Sequence, residues 1–227
     1  MGAAFFCSFR HIDLSLEYFY SSNDMEVVKT DIPGLMILEP RVFNDARGYF
    51  FESFSQREFD EKAARLVLNA SNDGKMSPQY DSDRIMFVQD NESRSKKGVL
   101  RGLHFQQPPY AQTKLVRVAV GSVLDVAVDI RRGSPAYGKY VAVELSADNH
   151  RALLLPRGMA HGFAVLSDDV IFQYKCDNFY APASEGAIAW NDPDLAIDWG
   201  LDAASVILSD KDRRHPLLKD FESPFVY

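Results

Sequence analysis

From Val27 onward the chain alternates short apolar runs with clusters of Gly, Pro, Asn and Asp. The runs are Gly34–Glu39, Ile85–Val88, Lys114–Val120, Val123–Ile130, Lys139–Leu145, Arg151–Leu155, Gly162–Leu166, Val170–Lys175 and Ala187–Trp190. Runs of this length bounded by breakers predict strands, and strands at this spacing predict an all-β sandwich or barrel. Val120-Gly121-Ser122-Val123 and Arg131-Arg132-Gly133-Ser134-Pro135 read as connections between them. One helix is expected over Gln56–Val67, where Phe59, Ala63, Leu66 and Val67 approximate a helical stripe. Asn69–Asp83 loses that period and reads as a long surface loop. Residues 1–25 show no clear period and end in Ser21-Ser22-Asn23-Asp24, which marks an N-terminal extension to a single domain over 26–227. No repeat of solenoid length and no compositional break divides that domain.

Composition narrows the function classes. The 227 residues are 46% hydrophobic and 12% aromatic, with 16 Phe and 10 Tyr, enough apolar material for a core and in favour of sheet. With 25 Lys+Arg against 32 Asp+Glu, the net charge of −7 carries no electrostatic footprint for nucleic acid or an anionic membrane. A local cluster of cations can still hold a small anion. Cys7 and Cys176 are too few and too far apart for a zinc cluster or a disulfide framework, which suits a reducing cytoplasm. Arg10, His11, Asp13 and Glu17 interrupt the first 20 residues before any apolar run reaches signal or membrane-spanning length. A cytoplasmic protein is expected.

Two histidines stand in apolar, strand-like surroundings: His104 in Gly98-Val-Leu-Arg-Gly-Leu-His-Phe-Gln106, and His161 in Pro156-Arg-Gly-Met-Ala-His-Gly-Phe163. A lone histidine in such a place is by default a satisfied core or surface residue. Here Arg101 and Lys114 stand at the edges of neighbouring apolar strands, and three polar groups so placed fit an inward-facing site at a barrel mouth. A catalytic metal needs at least three convergent ligands. His104-Phe105-Gln106 offers one imidazole where a His-x-His pair would offer two, although Pro156–His161 resembles the second half of a metal-binding cupin signature. The strings therefore argue for a cupin-like barrel without metal. Tyr174 and Tyr180 are by default packed aromatics. A phenol with an unperturbed pKa of about 10 is nevertheless suited to donating a proton to a carbanion. Asp45-Ala-Arg47-Gly48, Glu52 and Lys211-Asp212 have solvated surface as their default.

Taken in order, the strings from about Ile32 to Leu218 closely resemble the dTDP-4-dehydrorhamnose 3,5-epimerase family. The matching elements include Arg47-Gly-Tyr-Phe-Phe-Glu52, Val88-Gln-Asp-Asn91, Gly98–Gln106, Lys114-Leu-Val-Arg117, Gly121–Arg131, Pro156–Phe163, Tyr174-Lys175, Tyr180-Ala-Pro182, Asn191-Asp-Pro193 and Leu208-Ser-Asp-Lys-Asp212. The resemblance implies a double-stranded β-helix (jelly roll) with a few short peripheral helices, working as a homodimer without metal or nicotinamide cofactor. It implies His104 as general base, Asp212 as its carboxylate partner, Tyr174 as the acid on the opposite face, and Lys114, Arg101 and His161 around the developing oxyanion. Arg47, Glu52, Gln89, Asn91, Tyr180, Glu185 and Lys211 match positions associated with the substrate and its nucleotide, and Phe43 offers an aromatic surface for the base.

The implied reaction converts dTDP-4-dehydro-6-deoxy-D-glucose to dTDP-4-dehydro-L-rhamnose. The C4 ketone acidifies the hydrogens on C3 and C5, because removal of either gives an enolate whose charge sits on the C4 oxygen. Cations facing that oxygen supply the largest stabilisation. The alternatives are an enzyme that inverts only C3 or only C5, a non-catalytic cupin-like sugar-binding protein, and a metal-dependent cupin enzyme. Ile197-Asp-Trp199 is followed by Gly200 where the family often has Pro, a departure that touches none of the proposed acid, base or oxyanion groups.

Overall fold

A computed structural model describes residues 25–70 and 84–227. Strands β1 (Met25–Lys29), β2 (Met36–Pro40), β3 (Phe43–Asp45) and β4 (Gly48–Phe50) precede a helical segment. That segment runs through α1 (Gln56–Phe59), a π-helical turn (Asp60–Ala64) and α2 (Arg65–Leu68). The remaining strands are β5 (Gln89–Lys96), β6 (Leu100–Gln106), β7 (Lys114–Val120), β8 (Ser122–Asp129), β9 (Tyr140–Ser146), β10 (Ala152–Leu155), β11 (Met159–Val165), β12 (Asp169–Cys176) and β13 (Glu185–Ala187).

Two antiparallel sheets face each other. One has the order β1-β2-β10-β7-β12-β5 and the other β13-β6-β11-β8-β9, with β3 and β4 forming a separate hairpin. The alternation of each strand sends one set of side chains inward. Val116, Val118, Val123, Val143, Leu153, Phe163 and Phe172 fill the space between the sheets, and the Phe163 and Phe172 rings stack with centroids 4.2 Å apart. On the outer face of the first sheet, Leu115, Leu38 and Leu154 are covered by Phe59, Ala63, Val67 and Leu68 of the helical segment. On the outer face of the second, Leu103, Phe105, Val126 and Val128 are covered by Ile188, Leu195, Trp199, Val206, Leu218 and Phe225 of the C-terminal segment. Burial on both faces explains why β8 and β11 read as nearly continuous apolar runs.

The expected jelly roll and helix are present, the helix starting at Gln56 with Ser55 as N-cap, whose hydroxyl accepts from the Glu58 amide. β1 begins at Met25, one residue inside the expected extension; the rest of that extension lies outside the described residues, as does 71–83 of the expected loop. Two strands were misplaced by the sequence pattern, and of the expected Ala187–Trp190 only Ala187 belongs to a strand, β13. Ile85–Val88 forms no ladder: Ile85 and Phe87 join the apolar cluster beneath the helix, and only the Val88 amide bonds to a strand, at the Cys176 carbonyl. The strand is the polar segment that follows, Gln89–Lys96, which pairs along its whole length with β12. Its inward positions Gln89, Asn91, Ser93 and Ser95 are partly or fully buried while Asp90, Glu92 and Arg94 are exposed. The period-2 signal is therefore intact but carried by small polar groups, because this edge of the barrel faces a polar cavity.

Leu153 is fully buried at the centre of the inter-sheet core. Leu153→Ala is expected to cost about 2–5 kcal/mol, read as a lowered urea midpoint at unchanged m-value. A midpoint within experimental error of the parent would show that the core lies elsewhere.

Candidate active site

A cavity of about 410 Å³ opens between the two sheets, lined by Arg101, His104, Lys114, His161, Tyr174, Glu185, Lys211 and Asp212 among others. Eight of the residues expected from sequence therefore share one cavity. The two walls differ in chemistry. The second sheet supplies Arg101 and His104 from β6, His161 from β11 and Glu185 from β13, whereas the first supplies Lys114 from β7 and Tyr174 from β12.

Arg101 and His104 lie three positions apart, a spacing that would put them on opposite faces of a regular strand. Leu100, Leu103 and Phe105 all belong to the outer core, so the alternation slips by one residue between Arg101 and Leu103. The slip occurs at Gly102, whose φ of +139° is closed to ordinary side chains and whose added Cβ would lie 2.5 Å from the Gly162 Cα of β11. The pairing of β11 with β6 also shifts register between His161 and Phe163. This irregularity turns both Arg101 and His104 of β6 into the cavity.

His104 and His161 are direct cross-strand partners, and each is backed by a carboxylate. His104 Nε2 lies 2.5 Å from Asp212 Oδ1, with the His104 side chain one-third exposed and that of Asp212 almost fully buried. The second Asp212 oxygen accepts from Ser209 Oγ at 2.8 Å. Burial pushes the Asp212 carboxyl up, but the hydrogen bonds from His104 and Ser209 outweigh it and hold the group below the usual carboxylate range. An ionised Asp212 fixes the neutral His104 tautomer with its proton on Nε2, which leaves Nδ1 as the free acceptor. His161 Nε2 lies 2.9 and 3.0 Å from the two oxygens of Asp125, which is fully buried in β8. His104, Asp212 and His215 bring donor atoms within 4.8 Å of one another. Both Asp212 oxygens already take part in hydrogen bonds, one with His104 and one with Ser209.

On the opposite wall, the Lys114 ammonium stands 6.0 Å from the centroid of the Tyr174 ring. Burial lowers the Lys114 pKa and raises that of Tyr174. Lys114 forms no salt bridge among the described residues, so its charge is poorly compensated until an anion arrives, and Tyr174 keeps its proton. Arg101 Nε donates to Ser95 Oγ at 3.1 Å, and Lys211 is paired with Glu185.

The other expected residues divide into two groups. Asn91 does not line this cavity but borders a recess with Leu115, Arg117, Gln173 and Lys175 on the outer side of the first sheet. Gln89 donates to Asn91 Oδ1 and accepts from the Tyr180 amide at 3.0 Å, which pins the segment carrying the exposed Tyr180. Phe43, Arg47 and Glu52 are not among the cavity-lining residues. Phe43 and Arg47 sit on the β3–β4 hairpin, where Arg41 lies over the Phe43 ring and Arg47 is paired with Asp45, and Glu52 borders a separate recess with Phe51 and Phe54. Sequence reasoning did not single out Asp125, Ser209 or His215. A carboxylate in the middle of the apolar run Val123–Ile130, which also holds Asp129 near its end, was the available signal for Asp125, whereas the other two gain meaning only from the folded C-terminal turn.

The dTDP-4-dehydrorhamnose 3,5-epimerase family model matches residues 29–220. The chain belongs to that family. It is 51% identical over 190 residues to the dTDP-4-dehydrorhamnose 3,5-epimerase of Escherichia coli (strain K12), covering 84% of this chain and 92% of the relative. Among solved structures, the dTDP-4-dehydrorhamnose 3,5-epimerase of Elizabethkingia anophelis NUHP1 superposes with a TM-score of 0.75 at 47% identity, covering 87% of this chain and 98% of the other. The dTDP-6-deoxy-D-glucose-3,5-epimerase of Legionella pneumophila Philadelphia 1, solved in complex with dTDP-4-keto-L-rhamnose, gives 0.76 at 45% identity, covering 89% and 99%. The strings that carried the resemblance in the sequence are the ones the fold gathers around the inter-sheet cavity.

Gly102→Ala is expected to cost at least about 1–3 kcal/mol from backbone strain alone and to lower activity by turning Arg101 and His104 out of register. A variant with parental melting temperature and activity would contradict the role given to this slip. Asp212→Asn is expected to retain the fold and to reduce kcat far more than it raises KM, since the tautomer and charge behind His104 are lost.

Proposed function

We propose that this chain epimerises C3 and C5 of dTDP-4-dehydro-6-deoxy-D-glucose, giving dTDP-4-dehydro-L-rhamnose, with the step belonging to dTDP-L-rhamnose biosynthesis. One observation carries the assignment of roles: a carboxylate-backed imidazole on one wall of the cavity faces a protonated phenol and a desolvated ammonium on the other. A sugar ring held between the sheets presents one face to His104 and the other to Tyr174. His104 Nδ1 removes the proton on carbon alpha to the ketone, and Asp212 stabilises the imidazolium that forms. The enolate oxygen develops its charge beside Lys114, with Arg101 donating to it and His161 near the same oxygen. Tyr174 returns a proton from the opposite face, which inverts the centre. His104 then loses its proton to solvent and the Tyr174 phenolate regains one from solvent, and the same groups serve the second carbon after the ring shifts in the cavity. Gln89, Asn91, Tyr180, Glu185 and Lys211 hold the nucleotide and diphosphate at the cavity's edge. No metal and no redox cofactor enters this scheme, because the C4 ketone already present in the substrate supplies the acidity. The free, buried Cys176 and the absence, among the described residues, of a helix long and apolar enough to cross a membrane are compatible with a cytoplasmic enzyme.

We also assign a homodimer. The β3–β4 hairpin exposes Tyr49 and Phe50 and carries Phe43 and Arg47, recognition residues that do not line the cavity of their own chain. A second copy that buries this hairpin would place Phe43 and Arg47 at its partner's nucleotide.

His104→Ala is expected to lower kcat by at least about 10²–10⁴-fold while leaving calorimetric binding of dTDP nearly intact; undiminished turnover would overturn the assignment of the base. Tyr174→Phe is expected to preserve solvent hydrogen exchange at the first carbon better than net epimerisation. Equal survival of both activities would remove Tyr174 as the acid. Mixing inactive Arg47→Ala and His104→Ala chains and allowing them to exchange subunits is expected to restore roughly a quarter of parental activity, since a symmetric mixed dimer regains one intact site. No restoration would place Arg47 outside the partner's site.

A further inference from the structure

Asp212 is shared between two histidines. His215, three residues further along the same turn, places Nε2 3.4 Å from Asp212 Oδ1, the oxygen that His104 Nε2 approaches at 2.5 Å. The two imidazoles meet edge to face with centroids 5.7 Å apart. His215 Nε2 is buried and, among the described residues, the one buried side-chain nitrogen or oxygen without a hydrogen-bond partner. A lone pair turned toward a carboxylate oxygen at that range would be repulsive, so the proton belongs on Nε2, on the side of Oδ1 but short of hydrogen-bond alignment. His215 itself does not line the cavity.

We propose that His215 is a positioning residue for the epimerisation, an N–H that competes with His104 for one Asp212 oxygen and so limits how strongly the carboxylate backs the base. This rests on the assignment of His104 as the base. The groups facing His215 are His104 from β6 and Asp212 and Lys211 from its own turn, and the Glu185 carboxylate on β13 is occupied by Lys211. Burial and the neighbouring His104 lower the His215 pKa, so His215 is neutral at neutral pH and acts on Asp212 through the partial positive charge of its N–H. The sign of its effect follows. With the His215 N–H removed, the Asp212 charge falls more fully on His104 and the imidazolium is better stabilised. The free base then becomes available only at higher pH, and the acid limb of the kcat/KM profile moves up.

The test compares kcat/KM against pH for the parent, His215→Phe, His215→Gln and His104→Ala, using dTDP-4-dehydro-6-deoxy-D-glucose as substrate and circular dichroism to establish folding. His215→Phe is expected to raise the acid limb by about half a pH unit, roughly a threefold loss on the acid side, with the plateau changed less than about twofold. His215→Gln, which keeps an N–H near Oδ1, is expected to hold the limb within about 0.2 unit of the parent. An unmoved limb in His215→Phe alongside an inactive His104→Ala overturns this proposal and leaves the base assigned. An active His104→Ala overturns the underlying mechanism instead. Should His215→Phe fail to fold, a parental limb in His215→Gln together with an upward shift in His215→Ala sustains the proposal, and equal limbs in those two variants overturn it.

Discussion

The contact between His104 and Asp212 joins positions 108 residues apart, and most of the architecture exists on its terms. To bring Asp212 behind the imidazole, the C-terminal segment must cross the outer face of the second sheet. It does so by burying Ile188, Leu195, Trp199, Val206 and Leu218 against that sheet. Ser209 then locks the turn, donating its hydroxyl to Asp212 and accepting the Asp212 amide. A buried carboxylate without partners is costly, so the dyad and the apolar cover stabilise each other: the cover excludes water and the imidazole satisfies the charge. The geometry of this pair and the C-terminal packing depend on each other.

The same separation of tasks explains how an acidic chain holds an anionic intermediate. The net charge of −7 is a sum over the whole chain and does not describe the cavity. Within the cavity, cations are arranged by how far each is already compensated: Lys211 by Glu185, Arg101 only by the serine hydroxyl of Ser95, and Lys114 by no salt bridge among the described residues. The least compensated cation is the most responsive to a charge that appears only during reaction, which is the condition for transition-state stabilisation rather than tight ground-state binding. His161, held from behind by Asp125, lines the same cavity.

Most of the fold was readable because its strands are buried between two layers and record that burial as apolar runs. The reading failed where burial and apolarity part company. β5 is a strand made of Gln, Asp, Asn, Glu, Ser and Arg, since its inner face borders the cavity, while the apolar run before it serves the helix instead. The residues of the site were readable as strings that resemble a family, not from periodicity. A histidine three residues from an arginine suggests no shared face until Gly102 is seen to shift the strand's phase. Asp125 and His215 escaped because their roles lie in partners far along the chain or in one turn whose placement depends on the whole second sheet.

The central claim is that one cavity holds base and acid on opposite walls and uses both at two carbons. The most direct measurement is NMR of dTDP-4-dehydro-6-deoxy-D-glucose incubated with the enzyme in deuterium oxide, following C3 and C5 separately. Deuterium at both carbons with inversion at both is the expected result. Deuterium confined to one carbon would make this a mono-epimerase, and none at either would contradict proton abstraction in this cavity altogether.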